Sequence, residues 1–133
     1  MISSLFLTAL ISVESGGDPR AVSPDKRDVG VLQISPAVIK DVNRKFKTSY
    51  TLKDRYSVEM SKSICSLYLK MHCVHANLHK SGPATEEEMA RIWNGGPKGM
   101  QKKCTEKYWL EKVYPTLQRL KQDELERATK RPR

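Results

Sequence analysis

ALISVESGGDPRAVSPDKRDVGVLQISPAV, residues 9–38, passes from an apolar run through a single glutamate into a loop and out into a proline-opened helix. Upstream, residues 2–15 contain no Gly or Pro and place Leu5, Leu7, Ala9, Leu10, Ile11 and Val13 on almost every side, which predicts a helix buried over most of its circumference. Gly16-Gly17 and Pro19 end it. Glu14 then sits in the last turn of an otherwise apolar helix. Desolvation and the partial negative charge of a helix C-terminus both disfavour its ionised form, so this carboxyl is a candidate for staying protonated near neutral pH. A general acid for glycoside cleavage needs that property.

From Gly16 to Ser35, glycines, prolines and aspartates predict an ordered loop with at most a short hairpin. Ser35-Pro36 reads as an N-cap followed by proline at the first helical position, opening a helix with Ala37, Val38, Ile39 and Val42 on its apolar side. Ser57 to about Lys80 is the longest helix candidate, with Ile64, Leu67, Tyr68, Met71, Val74 and Leu78 at helical spacing. Thr85 and Glu88 form a capping box for a helix running to about Trp93 and halted by Asn94-Gly95-Gly96-Pro97. A last helix starts near Thr105, and Pro115 is expected to kink or divide it. No segment alternates long enough to build a sheet. The expected fold is mainly α and single-domain, with residues 1–128 as the folded unit and 129–133 as a basic, frayed tail.

The 133 residues suit one domain, which at this size buries roughly two-thirds of its unfolded surface. Lys and Arg number 24 against 15 Asp and Glu, a formal charge of +9 that favours polyanionic partners without choosing among them. Cys65, Cys73 and Cys104 cannot all pair within one chain, and on a shared helix Cys65 and Cys73 would stand about 12 Å apart, so reduced thiols are expected. Met1 to Val13 lacks the basic leading segment and small-residue cleavage site of a signal peptide, and no run approaches the roughly 20 apolar residues of a membrane span. The basic clusters Arg44-Lys45-Lys47 and Lys102-Lys103 come without a zinc finger, an RNA-recognition signature or a stacking aromatic stripe, so nucleic acid is not the expected partner. His72, His75 and His79 recur at helical spacing, but a closed metal site needs a fourth ligand and supporting partners. No metal or cofactor is expected. The C-terminal helix, with Trp109, Leu110, Val113 and Leu117, is expected to pack on the domain rather than insert in a membrane.

Four elements in order carry a resemblance. Glu14-Ser15 closes a helix, Gly30-Val31-Leu32-Gln33 follows a loop, Arg91-Ile92-Trp93-Asn94-Gly95-Gly96-Pro97 comes later, and Thr105 with Tyr108 ends the series. Together they resemble the pattern of soluble lytic transglycosylases and goose-type lysozymes: helix-ending Glu-Ser, Gly-Leu-Met-Gln, Ala-Tyr-Asn-Ala-Gly-Pro and Thr-x-x-Tyr. The resemblance implies a lysozyme-like domain that cleaves peptidoglycan at the β-1,4 bond between N-acetylmuramic acid and N-acetylglucosamine. Glu14 would be the catalytic acid and Ser15 would orient its turn. Gly30 would admit the sugar close to the backbone, and Gln33 would offer it an amide. Leu32 and Ile34 would wall the groove or pack in the core, while Asn94 and Tyr108 would line the cleft.

Two positions depart from the pattern. Trp93 stands where the family usually has a tyrosine whose hydroxyl reaches the catalytic carboxyl; an indole can donate a hydrogen bond or stack on a sugar, or it can hold the helix against Glu14. Ser35 stands where goose-type lysozymes carry an aspartate. Without that second carboxylate, a transglycosylase that uses the sugar's own C6 hydroxyl and leaves a 1,6-anhydro product is favoured over a hydrolase. Asp28, and less so Asp25, remain as residues that would position a water in a muramidase. The more distant alternatives are a catalytically inactive glycan binder and a basic nucleic-acid binder. Size, charge and the lack of an export signal fit a monomeric phage endolysin or virion-associated lysin, cytoplasmic until released to the wall; a secretion-system transglycosylase fits as well.

Overall fold

A computed structural model describes residues 2–130. Helix α1 spans Ser4–Ser15, with the Ser3 hydroxyl accepting from Phe6 N–H at 3.1 Å and Gly16 in the left-handed region closing the other end onto the Ser12 carbonyl. Phe6, Ala9 and Leu10 are fully buried, while Leu5, Leu7, Ile11 and Val13 pack more loosely around them. Burying each such Leu or Phe contributes about 1.5–3 kcal/mol. The last turn carries Glu14 inward with its neighbours. Helix α1 therefore positions the carboxyl as a by-product of packing its own apolar faces.

Helix α2 (Pro36–Phe46) begins as expected, with Ser35 Oγ accepting from Val38 N–H. Helix α3 (Val58–His72) is shorter than the spacing predicts. It stops at Cys73, and a separate four-residue helix α4 (His75–Leu78) follows. The Asn77 amide donates to the His72 carbonyl at 2.8 Å, taking a terminal acceptor of α3 that a continuing helix would have used. Val74, expected on the apolar side, is exposed as a result. Helix α5 (Glu86–Gly95) carries the Thr85–Glu88 capping box.

The C-terminal stretch also differs from expectation. Helix α6 (Lys103–Tyr108) runs through a π-helical turn (Trp109–Val113) into α7 (Tyr114–Lys130) without a break. Proline has no N–H to give and its ring clashes with the carbonyl four residues back, so the widened turn immediately before Pro115 accommodates it without dividing the helix. Trp109, Val113 and Leu117 are buried, whereas Leu110 is exposed. The tail assigned to 129–133 begins inside α7, and Arg131–Arg133 lie outside the described residues.

The fold is mainly α. Helix α1 lies against α7 and the π turn, α2 packs on α3, and α3 on α5, around a core that includes Leu10, Leu32, Ile34, Ile64, Leu69, Ile92, Val113 and Leu117. Residues 16–35 form an ordered loop with two isolated antiparallel bridges, Val22 to Val29 and Val29 to Ile34, and no strand occurs among the described residues. No described helix is long and apolar enough to cross a membrane.

Candidate active site

Two buried arginines fix the walls around Glu14. Arg55, in the 3₁₀ turn Leu52–Tyr56, donates from Nη1 to the carbonyls of Arg27 and Ile34, both at 2.9 Å, and from Nε to that of Leu52. It thereby ties down both sides of the 16–35 loop. Arg91, on α5, donates to Thr105 Oγ1, to the carbonyls of Met100 and Lys102, and to Glu87 at 2.9 Å. That network joins the end of α5 to the start of α6. Glycines let the backbones meet at both joints: a Cβ on Gly30, at φ +88, would overlap the Arg55 carbonyl, and one on Gly99 would overlap that of Arg91. Ser15 completes the frame by donating to the Val31 carbonyl at 2.8 Å and accepting from Gly17 N–H.

Within this frame the Tyr108 hydroxyl donates to Glu14 Oε2 at 2.6 Å. Burial raises the pKa of Glu14 above the usual carboxyl range; the Tyr108 hydrogen bond pulls the other way, Asp28 adds to the rise and Lys112 opposes it. Burial, and then the Glu14 charge, push the Tyr108 phenol far above its ordinary value, so it stays a neutral donor. Glu14 opens into a cavity of about 250 Å³ lined also by Asp28, Gln33, Ser35, Val38, Tyr68, Trp93, Asn94 and Gly96. A second cavity of about 400 Å³ shares Asn94, and a third of about 290 Å³ shares Asp28 and Ser35. These shared residues place both spaces next to the Glu14 cavity.

The structure brings together Glu14, Asp28, Gln33, Trp93, Asn94 and Tyr108. Asp28 carries a carboxyl that burial, and then Asp25, hold above its ordinary value. Gln33, at φ +52, spends its amide N–H on the carbonyls of Ala21 and Gly30, leaving Oε1 as the acceptor it can offer. Three expected residues lie elsewhere. Leu32 and Ile34 are fully buried in the core, because the loop is held to the domain by burying them. Gly30 gives close approach to the Arg55 carbonyl, not to the groove. Asp25, by contrast, lines the third cavity while exposed, and it caps its own loop by accepting from Ser23 Oγ and Arg27 N–H. The three histidines share no site: His72 stacks edge-on against Tyr68, His75 and His79 are exposed on and beyond α4, and no metal-holding cluster occurs among the described residues.

Tyr68 was legible in the sequence only as one more apolar position on α3. It faces the Glu14 cavity, with its ring edge-on to Trp93 at 5.5 Å and 85°. A tyrosine at a core-facing helical position is indistinguishable from packing until the groove is in view. The holding roles of Arg55 and Arg91 gave no signal, because the acceptors that join separate segments, the carbonyls of Arg27, Ile34, Met100 and Lys102 and the Thr105 hydroxyl, lie distant in sequence.

The model of the transglycosylase SLT domain matches residues 1–114. The chain belongs to that family. The SLT match ends where α7 begins, so Glu14, the loop, α5 and Tyr108 all lie inside it. The SLT domain is also similar to a chain in the crystal structure of Aeromonas hydrophila PliI in complex with Meretrix lusoria lysozyme, at 26% identity and a TM-score of 0.66, over 81% of this chain and 85% of that one. No curated protein matches it. In this SLT domain the hydroxyl that reaches the acidic residue comes from Tyr108, while Trp93 sits half-buried against Tyr68. The family is one of peptidoglycan-cleaving lytic transglycosylases, so the substrate class is peptidoglycan and the place of action the cell wall.

Proposed function

We propose that this SLT domain cuts the β-1,4 bond between N-acetylmuramic acid and N-acetylglucosamine and releases a 1,6-anhydro product, with Glu14 as its acid and base. The observation that carries the reading is the half-buried Glu14 carboxyl, raised in pKa by desolvation and held by Tyr108 at the wall of an open cavity. Glu14 delivers its proton to the linking oxygen as the C1–O bond breaks and the muramic ring gains oxocarbenium character. The carboxylate so formed takes the proton of the C6 hydroxyl as O6 bonds to C1, which restores the acid. No external nucleophile enters. Gln33 Oε1 and Asn94 offer hydrogen bonds to the N-acetyl groups, and Trp93 and Tyr68 give the sugar an aromatic corner.

A hydrolytic second reading rests on Asp28, which lines the same cavity with a carboxyl of raised pKa. There it would position a water in place of the C6 hydroxyl. Mass measurement of muropeptides released from purified peptidoglycan separates the two. Products one water lighter than the hydrolytic ones support transglycosylation, and reducing-end muramic acid supports the muramidase. An Asp28→Asn variant that leaves hydrolysis intact removes Asp28 as the water-positioning base. Equal, negligible release by wild type and Glu14→Gln overturns the catalytic reading altogether.

A further inference from the structure

A further cavity of about 540 Å³, larger than any of the three at or beside Glu14, opens at the other end of α1 and shares no lining residue with the Glu14 cavity. Ile2, which lines it, precedes α1, and Glu14 ends that helix, so the two spaces lie about 15 Å apart along its axis. Its size is that of a small-molecule site. One face of α3 forms a wall. Leu69 and Lys70 are successive residues there, about 100° apart round the helix, with Ser66 and Cys73 between them. Leu69 is 1% exposed and marks the inner edge, whereas Lys70 is exposed and marks the mouth. Ala84, just before α5, and Met89, on it, add to the apolar lining. Burial pushes the pKa of the Cys73 thiol up to about 11, so it too is a neutral, weakly polar surface.

Lys70 makes no ion pair among the described residues. The carboxylate felt at Cys73 is Glu88, which is already taken by Lys80 at 2.7 Å and by Thr85 N–H at 2.8 Å. The cavity therefore combines an apolar depth with one available cation at its mouth. We infer that it binds a single-chain anionic amphiphile of the fatty-acid class, with the alkyl chain against Leu69 and Met89 and the carboxylate on Lys70 and the Ser66 hydroxyl. A bare hydrocarbon would leave Lys70 unmatched. A peptide would bring backbone N–H and C=O groups that cost free energy when buried unpaired, and the lining side chains offer few partners for them. An alkyl chain has no such groups, and each methylene it fully buries tightens binding about fourfold. Binding here is independent of the cleavage chemistry, since the two cavities have no residue in common.

Isothermal titration of the purified protein with decanoate, kept below its aggregation concentration, measures the binding, and decanol is the uncharged control. The expected result is one saturable site with a Kd of about 1 mM or tighter, and octanoate weaker by about four- to sixteenfold. Lys70→Glu, on an exposed side chain, should weaken decanoate by about three- to tenfold and leave decanol level. Ala84→Trp, which fills the space from outside any helix, should weaken both by at least about tenfold. The site is overturned by a wild type that shows no saturable binding or takes octanoate as tightly as decanoate. It is equally overturned by a Lys70→Glu variant that treats decanoate and decanol alike, or by an Ala84→Trp variant that binds as wild type does. Cosedimentation with phosphatidylglycerol vesicles, without binding of free decanoate, overturns it in favour of a membrane surface.

Discussion

Tyr108→Phe removes one oxygen from the structure and isolates the contact that Glu14 depends on. The ring stays, so its packing stays, but the 2.6 Å hydrogen bond to Oε2 is lost. While Glu14 is protonated that bond is an ordinary neutral one, worth about 0.5–1.5 kcal/mol, and as the proton leaves it becomes charge-assisted, worth about 1.5–3 kcal/mol. The increment of about 1–1.5 kcal/mol acts on the transition state more than on the bound substrate. The expected loss in kcat is therefore about five- to twelvefold, with little change in KM. The pH profile supplies a second readout. The hydrogen bond favours the ionised carboxyl and opposes the larger effect of burial, so its loss raises the pKa of Glu14 further and moves the alkaline limb of kcat to higher pH. Steady-state rates on soluble peptidoglycan strands across the pH range measure both. A variant with wild-type kcat and an unmoved alkaline limb refutes the assignment of Tyr108 as the residue that holds and tunes Glu14.

Three further outcomes follow from the same geometry. Glu14→Gln should raise thermal stability while abolishing cleavage. A carboxyl whose folded pKa is raised favours folding at low pH and loses that contribution as pH rises through the folded value, so the variant's advantage in Tm should grow from acid toward neutral pH. A flat difference across that range counts against burial as the cause. Gly30→Ala places a Cβ on the Arg55 carbonyl at a left-handed φ and should cost at least about 3 kcal/mol, seen as a fall in Tm of roughly 10 °C or more. Arg91→Met strands the Met100 carbonyl and takes one partner from the Lys102 carbonyl and the Thr105 hydroxyl, which stay bonded to each other; it should cost about 1–3 kcal/mol in chemical denaturation while also lowering kcat, because Tyr108 shares α6 with Thr105.

Much of this molecule is written locally. The apolar run before Glu14, the Ser35-Pro36 start of α2 and the Thr85–Glu88 box each act within a few residues, through capping and burial of one helical face, and α1, α2 and α5 stand where those signals put them. The α3 boundary was less accessible, because the asparagine amide that takes the His72 carbonyl competes with a periodicity that continues past it. The ordered elements of the family pattern also marked the two stretches that flank the groove. They did not separate residues that face it from residues that hold it in place.

The sequence by itself determined that the chain is mainly helical and that a lone glutamate ends an apolar helix inside a transglycosylase pattern. Only the tertiary structure decided which hydroxyl reaches that glutamate. Tyr108 lies 94 positions away, and no local preference encodes a contact across that distance. It also decided that Leu32 and Ile34 turn to the core while Tyr68 faces the groove, and that Gly30 makes room for Arg55 rather than for a sugar. The physical reason is common to all of these. Local signals specify which segments are helical and where they end, whereas the direction a side chain takes is set by which distant surface excludes water from it.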